Sequence, residues 1–180
     1  SIFVYANITD ASAANTSLSW TSSITDNLLT ARVLNDIASR GAIFCSNFIY
    51  VKSCHHLTID GNQMRGCMYE AIVSTTSERL SVKSNYILNA NNAFATDATT
   101  RPAIALTGGS NAQIYGNYVL SQVGTVYSAG VHALTSSPNI KLRGNTVLNS
   151  VTPYIIPVTN LAKAEDDGLP WQAPTMTNGY

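Results

Sequence analysis

Charged residues are scarce in this chain. Of its 180 residues, 11% are Asp, Glu, Lys or Arg, whereas about a quarter are charged in an average globular protein. Ten basic residues balance ten acidic ones, so the formal net charge is zero. A nucleic-acid-binding surface needs clustered basic residues, and we therefore predict no nucleic-acid partner.

Long hydrophobic runs and paired cysteines are also missing. No apolar run approaches the roughly 20 residues of a membrane-spanning helix, so we predict no membrane insertion. The three cysteines, Cys45, Cys54 and Cys67, cannot all pair within the chain, and we expect all three to be free thiols. The run Cys54-His55-His56 has no second cluster of ligands, so we predict no metal site and no cofactor.

A repeat built on asparagine organises the chain. The asparagines Asn62, Asn85, Asn117 and Asn145 each follow a Gly or Ser. Apolar residues lie five and three positions before each of them and two positions after it. This alternation predicts strands with one buried face on either side of an Asn turn. The aligned segments are HHLTIDGNQM (55–64), ERLSVKSNYI (78–87), NAQIYGNYVL (111–120) and PNIKLRGNTV (138–147).

A second apolar run begins 14 residues before each of these asparagines. Each unit therefore contains three short strands, and only the connection from one Asn to the next unit varies, at 9, 18 and 14 residues. Length variation at one corner is typical of a solenoid. The sequence predicts an all-β fold, a right-handed single-stranded parallel β-helix. The second set of runs is FIYV (48–51), AIVS (71–74), AIAL (103–106) and VHAL (131–134).

The terminal regions give the predicted boundaries. Ile2, Val4 and Asn7 match the same repeat, which gives about five coils over residues 1–158. A large insertion, 10–47, separates the first two coils, and within it TDNLLTARVLNDIASRG (25–41) predicts a helix that ends at Gly41. No Asn follows in register after Val158, so we expect residues 159–180 to form an extended exit segment.

The first strand of each unit is apolar on both faces, and a parallel sheet of this kind is normally covered on both sides. The inside of the coil covers one face. A partner subunit or the 10–47 insertion would cover the other, and we expect a homotrimer. His132 aligns with Ile49, Ile72 and Ile104, which indicates a packed histidine.

The strand before the Asn turn carries a column of polar outward residues. Asp60, Lys83, Tyr115 and Arg143 share this column. They form either a solvated face or, together with Arg101, a binding surface for a polysaccharide, because aromatic, basic and acidic groups in register can stack on sugars and hydrogen-bond to them.

Catalysis has a weaker signal. A glycosidase needs two carboxylates, about 5–5.5 Å apart in retaining enzymes and about 6.5–9.5 Å apart in inverting ones, and no aligned column supplies such a pair. Glu70 and Asp97, the latter near Arg101, are the candidate catalytic residues. The alternative is that both are solvated loop carboxylates. The sequence leaves open whether the chain is an enzyme.

The repeat, apolar-x-apolar-x-x-(Gly/Ser)-Asn-x-apolar, resembles that of the pectate-lyase-like β-helices, which include polysaccharide lyases, polygalacturonases, epimerases and phage tailspikes. The run WQAPTMTNGY (171–180) is similar to the lead-in of C-terminal domains in some phage tail appendages. The Asp cluster of pectinases and the Asp/Arg set of the lyase calcium site are absent from the repeat.

This resemblance implies a phage tailspike or appendage segment on the virion tail, outside the cell. It implies a homotrimer that binds host-surface polysaccharide and often degrades it as an endoglycosidase or lyase. A bacterial polysaccharide hydrolase or lyase of the same fold is the alternative, and a purely structural stalk is another.

Overall fold

A computed structural model describes residues 2–5, 22–30, 47–66, 70–88, 101–120 and 127–165. In these ranges the chain winds through three parallel sheets, and each strand pairs with the equivalent strand of the next coil. Among the described residues no helix is long and apolar enough to cross a membrane. The predicted fold class, an all-β parallel β-helix, is confirmed.

Sheet A holds the first strand of every coil. Its strands are β1 (Ile2–Tyr5), β4 (Ile49–Lys52), β7 (Ile72–Thr75), β10 (Ile104–Leu106), β13 (Tyr127–Ala133) and β16 (Ser150–Ile155).

Sheet B holds the strand that precedes the Asn turn. Its strands are β2 (Ser22–Thr25), β5 (Leu57–Asp60), β8 (Ser81–Lys83), β11 (Gln113–Tyr115), β14 (Ile140–Arg143) and β17 (Leu161–Glu165).

Sheet C holds the strand after the Asn turn. Its strands are β3 (Leu28–Thr30), β6 (Gln63–Arg65), β9 (Tyr86–Leu88), β12 (Tyr118–Leu120) and β15 (Thr146–Leu148).

The core is a set of columns, because in-register parallel pairing puts equivalent side chains above one another. Ile59, Val82 and Ile114 are in register in sheet B and fully buried. Each such side chain contributes about 1.5–3 kcal/mol relative to an exposed one, an upper estimate. Two further inward columns are Ile49, Ile72, Ile104, Val131 and Tyr154 in sheet A, and Leu29, Met64, Ile87, Val119 and Val147 in sheet C.

The first coil differs from the predicted one. Residues 2–5 pair with Ile49–Lys52 in sheet A, so Ile2 and Val4 do not take the predicted place before an Asn turn. That place belongs to residues 22–27, since Ile24 pairs with Ile59 and Asn27 bonds to Asn62. The segment SSITDN escaped the alignment because Ser22 replaces an aliphatic residue and Asp26 replaces Gly or Ser.

The helix predicted over 25–41 is wrong at 25–30, because these residues belong to β2, a turn and β3. Residues 31–41 lie outside the described residues. Part of the predicted 10–47 insertion is therefore a regular coil. The solenoid also continues past residue 158, through a 3₁₀ turn (Val158–Asn160) and into β17.

His132 is displaced from its predicted column. It pairs with Ala105, and Val131 takes the position beside Ile104. The cause is one extra residue in the turn between β13 and β14, which a hydrogen bond from Ser137 N–H to the Leu134 carbonyl closes at 3.0 Å. His132 therefore lies on the outside of sheet A rather than among the core isoleucines.

The repeat asparagines form a continuous hydrogen-bonded ladder at the turn between sheets B and C. The backbone N–H and the side-chain Nδ2 of one Asn both donate to Oδ1 of the Asn in the next coil, at 2.9–3.1 Å. The Nδ2 of every member except Asn27 also donates to a carbonyl of the preceding coil, at 2.7–2.9 Å. The members are Asn27, Asn62, Asn85, Asn117 and Asn145.

The residue before each ladder asparagine has a left-handed backbone, with φ between 53° and 66°. Gly accepts this conformation without strain, and Asp does so more readily than most other residues. The five residues are Asp26, Gly61, Ser84, Gly116 and Gly144.

We expect Asn85→Ala to lower the free energy of unfolding by on the order of 3 kcal/mol, because it leaves the buried backbone N–H of Asn62 without an acceptor. Urea unfolding followed by circular dichroism measures this loss. The matched control is Gln113→Ala, which removes an exposed amide from β11 and should change the stability by less than about 0.5 kcal/mol. Equal effects of the two substitutions would show that the ladder adds little stability.

Candidate functional site

A groove lies on the outer face of sheet A. The outward column of this sheet contains Tyr50, Val73, Ala105 and His132 in register. Val73 and Ala105 are buried within the chain, and His132 is half-buried. The groove encloses about 260 Å³ and is lined by Glu70, Arg101, Pro102, Ala105, Leu106, Thr107, His132 and Leu134.

A fixed ion pair stands where the chain enters sheet A. Nη1 of Arg101 lies 3.3 Å from Oε1 of Glu70, which belongs to the preceding coil. Asn47, one coil earlier, donates from Nδ2 to Oε2 of Glu70 at 3.1 Å and to the Glu70 backbone carbonyl at 2.9 Å. Side chains of three consecutive coils are thus tied together at this edge of the groove.

This arrangement indicates that Glu70 fixes the position of Arg101 at the groove. Both of its carboxylate oxygens accept a hydrogen bond, and the side chain is only 15% exposed. A carboxylate bound in this way is poorly placed to donate a proton or attack a sugar, but it can fix the guanidinium of Arg101 at the groove. Charge-assisted bonds of this kind are stronger than neutral ones.

His132 supplies a group that can take up a proton. Burial lowers the pKa of its imidazole below the usual 6.5, because desolvation disfavours the charged form. At neutral pH the side chain is therefore an uncharged imidazole, which has one hydrogen-bond donor and one acceptor.

The far end of the groove is lined by the hydroxyl of Thr107 and the aliphatic side chain of Leu134. Oγ1 of Thr107 bonds to Oγ1 of Thr75 at 3.0 Å and donates to the Ser74 carbonyl at 3.3 Å. Leu134, in the next coil, is 41% exposed. The groove thus offers polar groups at both ends and apolar surface between them.

The residues predicted from sequence fall on two separate surfaces. Glu70 and Arg101 meet in the groove, and Asp97 lies outside the described residues. Asp60, Lys83, Tyr115 and Arg143 form one outward column of sheet B, in the predicted register. Lys83 lies 3.3 Å from Asp60, a partly exposed pair that adds little stability. The catalytic and binding roles of all these residues remain predictions.

Sequence reasoning missed His132 and Thr107 as lining residues. The alignment placed His132 inward, because it assumed the same turn length in every coil. Counting from the Asn alone could not reveal the extra residue between β13 and β14. A polar residue in a column of isoleucines was the available signal, since burying an imidazole among aliphatic side chains is unfavourable without a partner.

The turn between sheets A and B holds the two adjacent histidines. His55 Nδ1 lies 3.4 Å from Oε2 of Glu78, and Nη1 of Arg79 lies 2.9 Å from Nε2 of His56. Cys54 is a buried free thiol. No group of three or more His, Cys, Asp or Glu side chains that could hold a metal occurs within the described part of the chain.

A sequence model of the right-handed β-helix region matches residues 14–153, and the chain belongs to this family. The match includes the first coil around Asn27. Searches of curated proteins and of solved structures gave no match.

Protonation of His132 should lower the stability of the fold. The unfolded chain takes up a proton at the ordinary pKa of 6.5, whereas the folded chain does so only at lower pH. Stability therefore falls as the pH drops through 6.5 and levels off below the pKa of the folded state.

We expect His132→Gln to lose part of this acid destabilisation. Urea midpoints measured at about pH 8 and about pH 5 give the pH-dependent loss for each protein. The control is His55→Gln, in a turn outside the groove. An unchanged pH dependence in His132→Gln would contradict the assignment.

Proposed function

We propose that this chain is a segment of a phage tailspike or tail appendage that binds bacterial surface polysaccharide in the sheet A groove. The observation that carries the proposal is the groove itself, in which Arg101, His132 and Thr107 surround the apolar floor formed by Ala105. Binding sites for small ligands commonly combine an apolar lining with a few polar groups that fix orientation.

Sugars match this combination. A pyranose ring has hydroxyls around its rim and C–H groups on its faces, so a face can contact the exposed side chain of Leu134 while its hydroxyls reach Arg101, His132 and Thr107. The lining comes from three consecutive coils, which span about 10 Å along the axis. An extended chain lying along that axis would meet these groups in sequence.

The groups that line the groove are already held in place before a ligand binds, which also supports binding. Glu70 and Asn47 already restrain Arg101 and its neighbours, and the groove floor belongs to a regular strand, β10. A ligand therefore meets groups that lose little freedom on binding, which lowers the entropic cost of association.

Cleavage of the bound polysaccharide is the second candidate function. The observation in its favour is His132, an uncharged imidazole at the groove that could act as a general base. A hydrolase would also need a second carboxylate, because Glu70 is the one carboxylate among the described lining residues. Release of new reducing ends detects hydrolysis, and absorbance of an unsaturated product detects elimination.

A homotrimer on the virion tail is the proposed setting. Val73 and Ala105 on the outside of sheet A are already buried within one chain, whereas sheet C exposes Leu28, Tyr86 and Leu148 at 73%, 41% and 41%. The rings of Tyr86 and Tyr118 stack with their centroids 5.2 Å apart. We propose that this outer face of sheet C, on which Gln63 and Arg65 lie among the apolar side chains, meets the other subunits, since exposed apolar side chains grouped on one surface often mark interfaces.

Arg101→Ala should weaken polysaccharide binding by at least about tenfold, because it removes a fixed donor from the groove. A panel of purified bacterial capsular and O-antigen polysaccharides, measured by biolayer interferometry, provides the ligand. Arg79→Ala, which removes an exposed arginine from the turn between sheets A and B, is the matched control and should bind as the unaltered protein does. Failure of the unaltered protein to bind any member would refute the proposal.

Light scattering tests the assembly. We expect the mass of three chains for the unaltered protein and a smaller mass for Leu148→Glu, because a charge in an apolar interface is costly. Lys141→Glu on sheet B, an exposed position, should leave the mass unchanged. A monomer of the unaltered protein would contradict the trimer.

A further inference from the structure

The charges of the groove restrict the kind of polysaccharide it can take. Among the described lining residues Glu70 and Arg101 are the two that carry a full charge at neutral pH, and they form an ion pair with each other. The remaining lining residues are Pro, Ala, Leu, Thr and the uncharged His132. The described lining therefore has no net charge.

An acidic sugar would find no compensating charge there. The guanidinium of Arg101 already has a carboxylate partner, and Glu70 would repel a second carboxylate brought beside it. Burying an anion without a new partner costs several kcal/mol. A uronic acid or a sialic acid in this groove would therefore gain little electrostatic compensation for the water that its carboxylate loses.

A neutral sugar avoids this cost and gains from the apolar surface. Leu134, which is 41% exposed, presents carbon atoms that can contact the C–H face of a ring, the methyl of a 6-deoxy sugar or the methyl of an N-acetyl group. The buried Pro102 and Ala105 add no polar side chain beside it. Arg101 and Thr107 can still hydrogen-bond to hydroxyls beside these contacts. The lining thus combines apolar contact with hydrogen bonding to hydroxyls.

We propose that the groove selects neutral polysaccharide, carrying deoxy or N-acetylated sugars, and rejects uronate-containing and sialylated chains. This inference rests on the proposed polysaccharide binding in the same groove and adds the ligand class. It also bears on cleavage. Elimination needs a uronate carboxylate to acidify the adjacent C–H, so a groove that rejects uronates leaves hydrolysis as the reaction available to it.

The test uses the same capsular and O-antigen panel, divided into neutral and acidic members. Each acidic member is also measured after chemical reduction of its carboxylates to alcohols, which removes the charge and leaves the linkages intact. We expect neutral members to bind at least about tenfold more tightly than acidic ones. We also expect reduction to raise the affinity of acidic members.

The substitution Glu70→Gln tests the same charge argument by changing the protein instead of the ligand. It removes the one carboxylate of the described lining and leaves the charge of Arg101, so acidic members should gain affinity relative to neutral ones by about tenfold. Glu78→Gln, which removes a carboxylate from the turn between sheets A and B, is the matched control and should keep the preference for neutral chains.

The double substitution Glu70→Gln with Arg101→Gln separates charge from local structure. It makes the lining uncharged again, so the gain in acidic binding should disappear. Far-ultraviolet circular dichroism and thermal unfolding establish that each variant is folded before its binding is compared.

The possible outcomes distinguish the two proposals. If no panel member binds, the proposed function fails. If acidic members bind the unaltered protein as tightly as neutral ones, or if Glu70→Gln leaves the preference unchanged in a folded protein, polysaccharide binding stands and the inference about its class is overturned.

Discussion

At the turn between sheets B and C the strand hydrogen bonds are interrupted, and the backbone N–H of one residue in each coil has to find another acceptor. The side-chain oxygen of the next asparagine supplies it. Because one oxygen receives both a backbone and a side-chain donor, each coil is joined to the next by a paired contact at a fixed height. The in-register stacking of the apolar columns depends on this fixed height.

The position of the groove follows from the same register. His132 pairs with Ala105 because successive strands of sheet A lie directly above one another, and Glu70 meets Arg101 where the chain enters two of these strands. A shift of one residue in a strand turns every side chain to the opposite face. The extra residue between β13 and β14 lies in the turn, so the alternation within each strand is kept and His132 faces outward.

The repeat predicted the coil from residue 48 to residue 150 well, because buried aliphatic columns and the Asn turn both leave clear sequence patterns. It failed at residues 22–30, where Ser22 and Asp26 satisfy the backbone geometry without matching the consensus. Pairing across coils, such as that between Glu70 and Arg101, could not be predicted, since it depends on loop paths and not on periodicity. The displacement of His132 had the same origin, a change of turn length.

The connections that enter sheet A are the ones whose length varies along the sequence, and Glu70 and Arg101 stand at their ends. The asparagine ladder lies at a different corner. Changes in these connections can therefore alter the rim of the groove without altering the hydrogen bonds that hold the coils together. Such a separation would let the rim of the groove diversify by exchange of loops, while the scaffold is inherited unchanged.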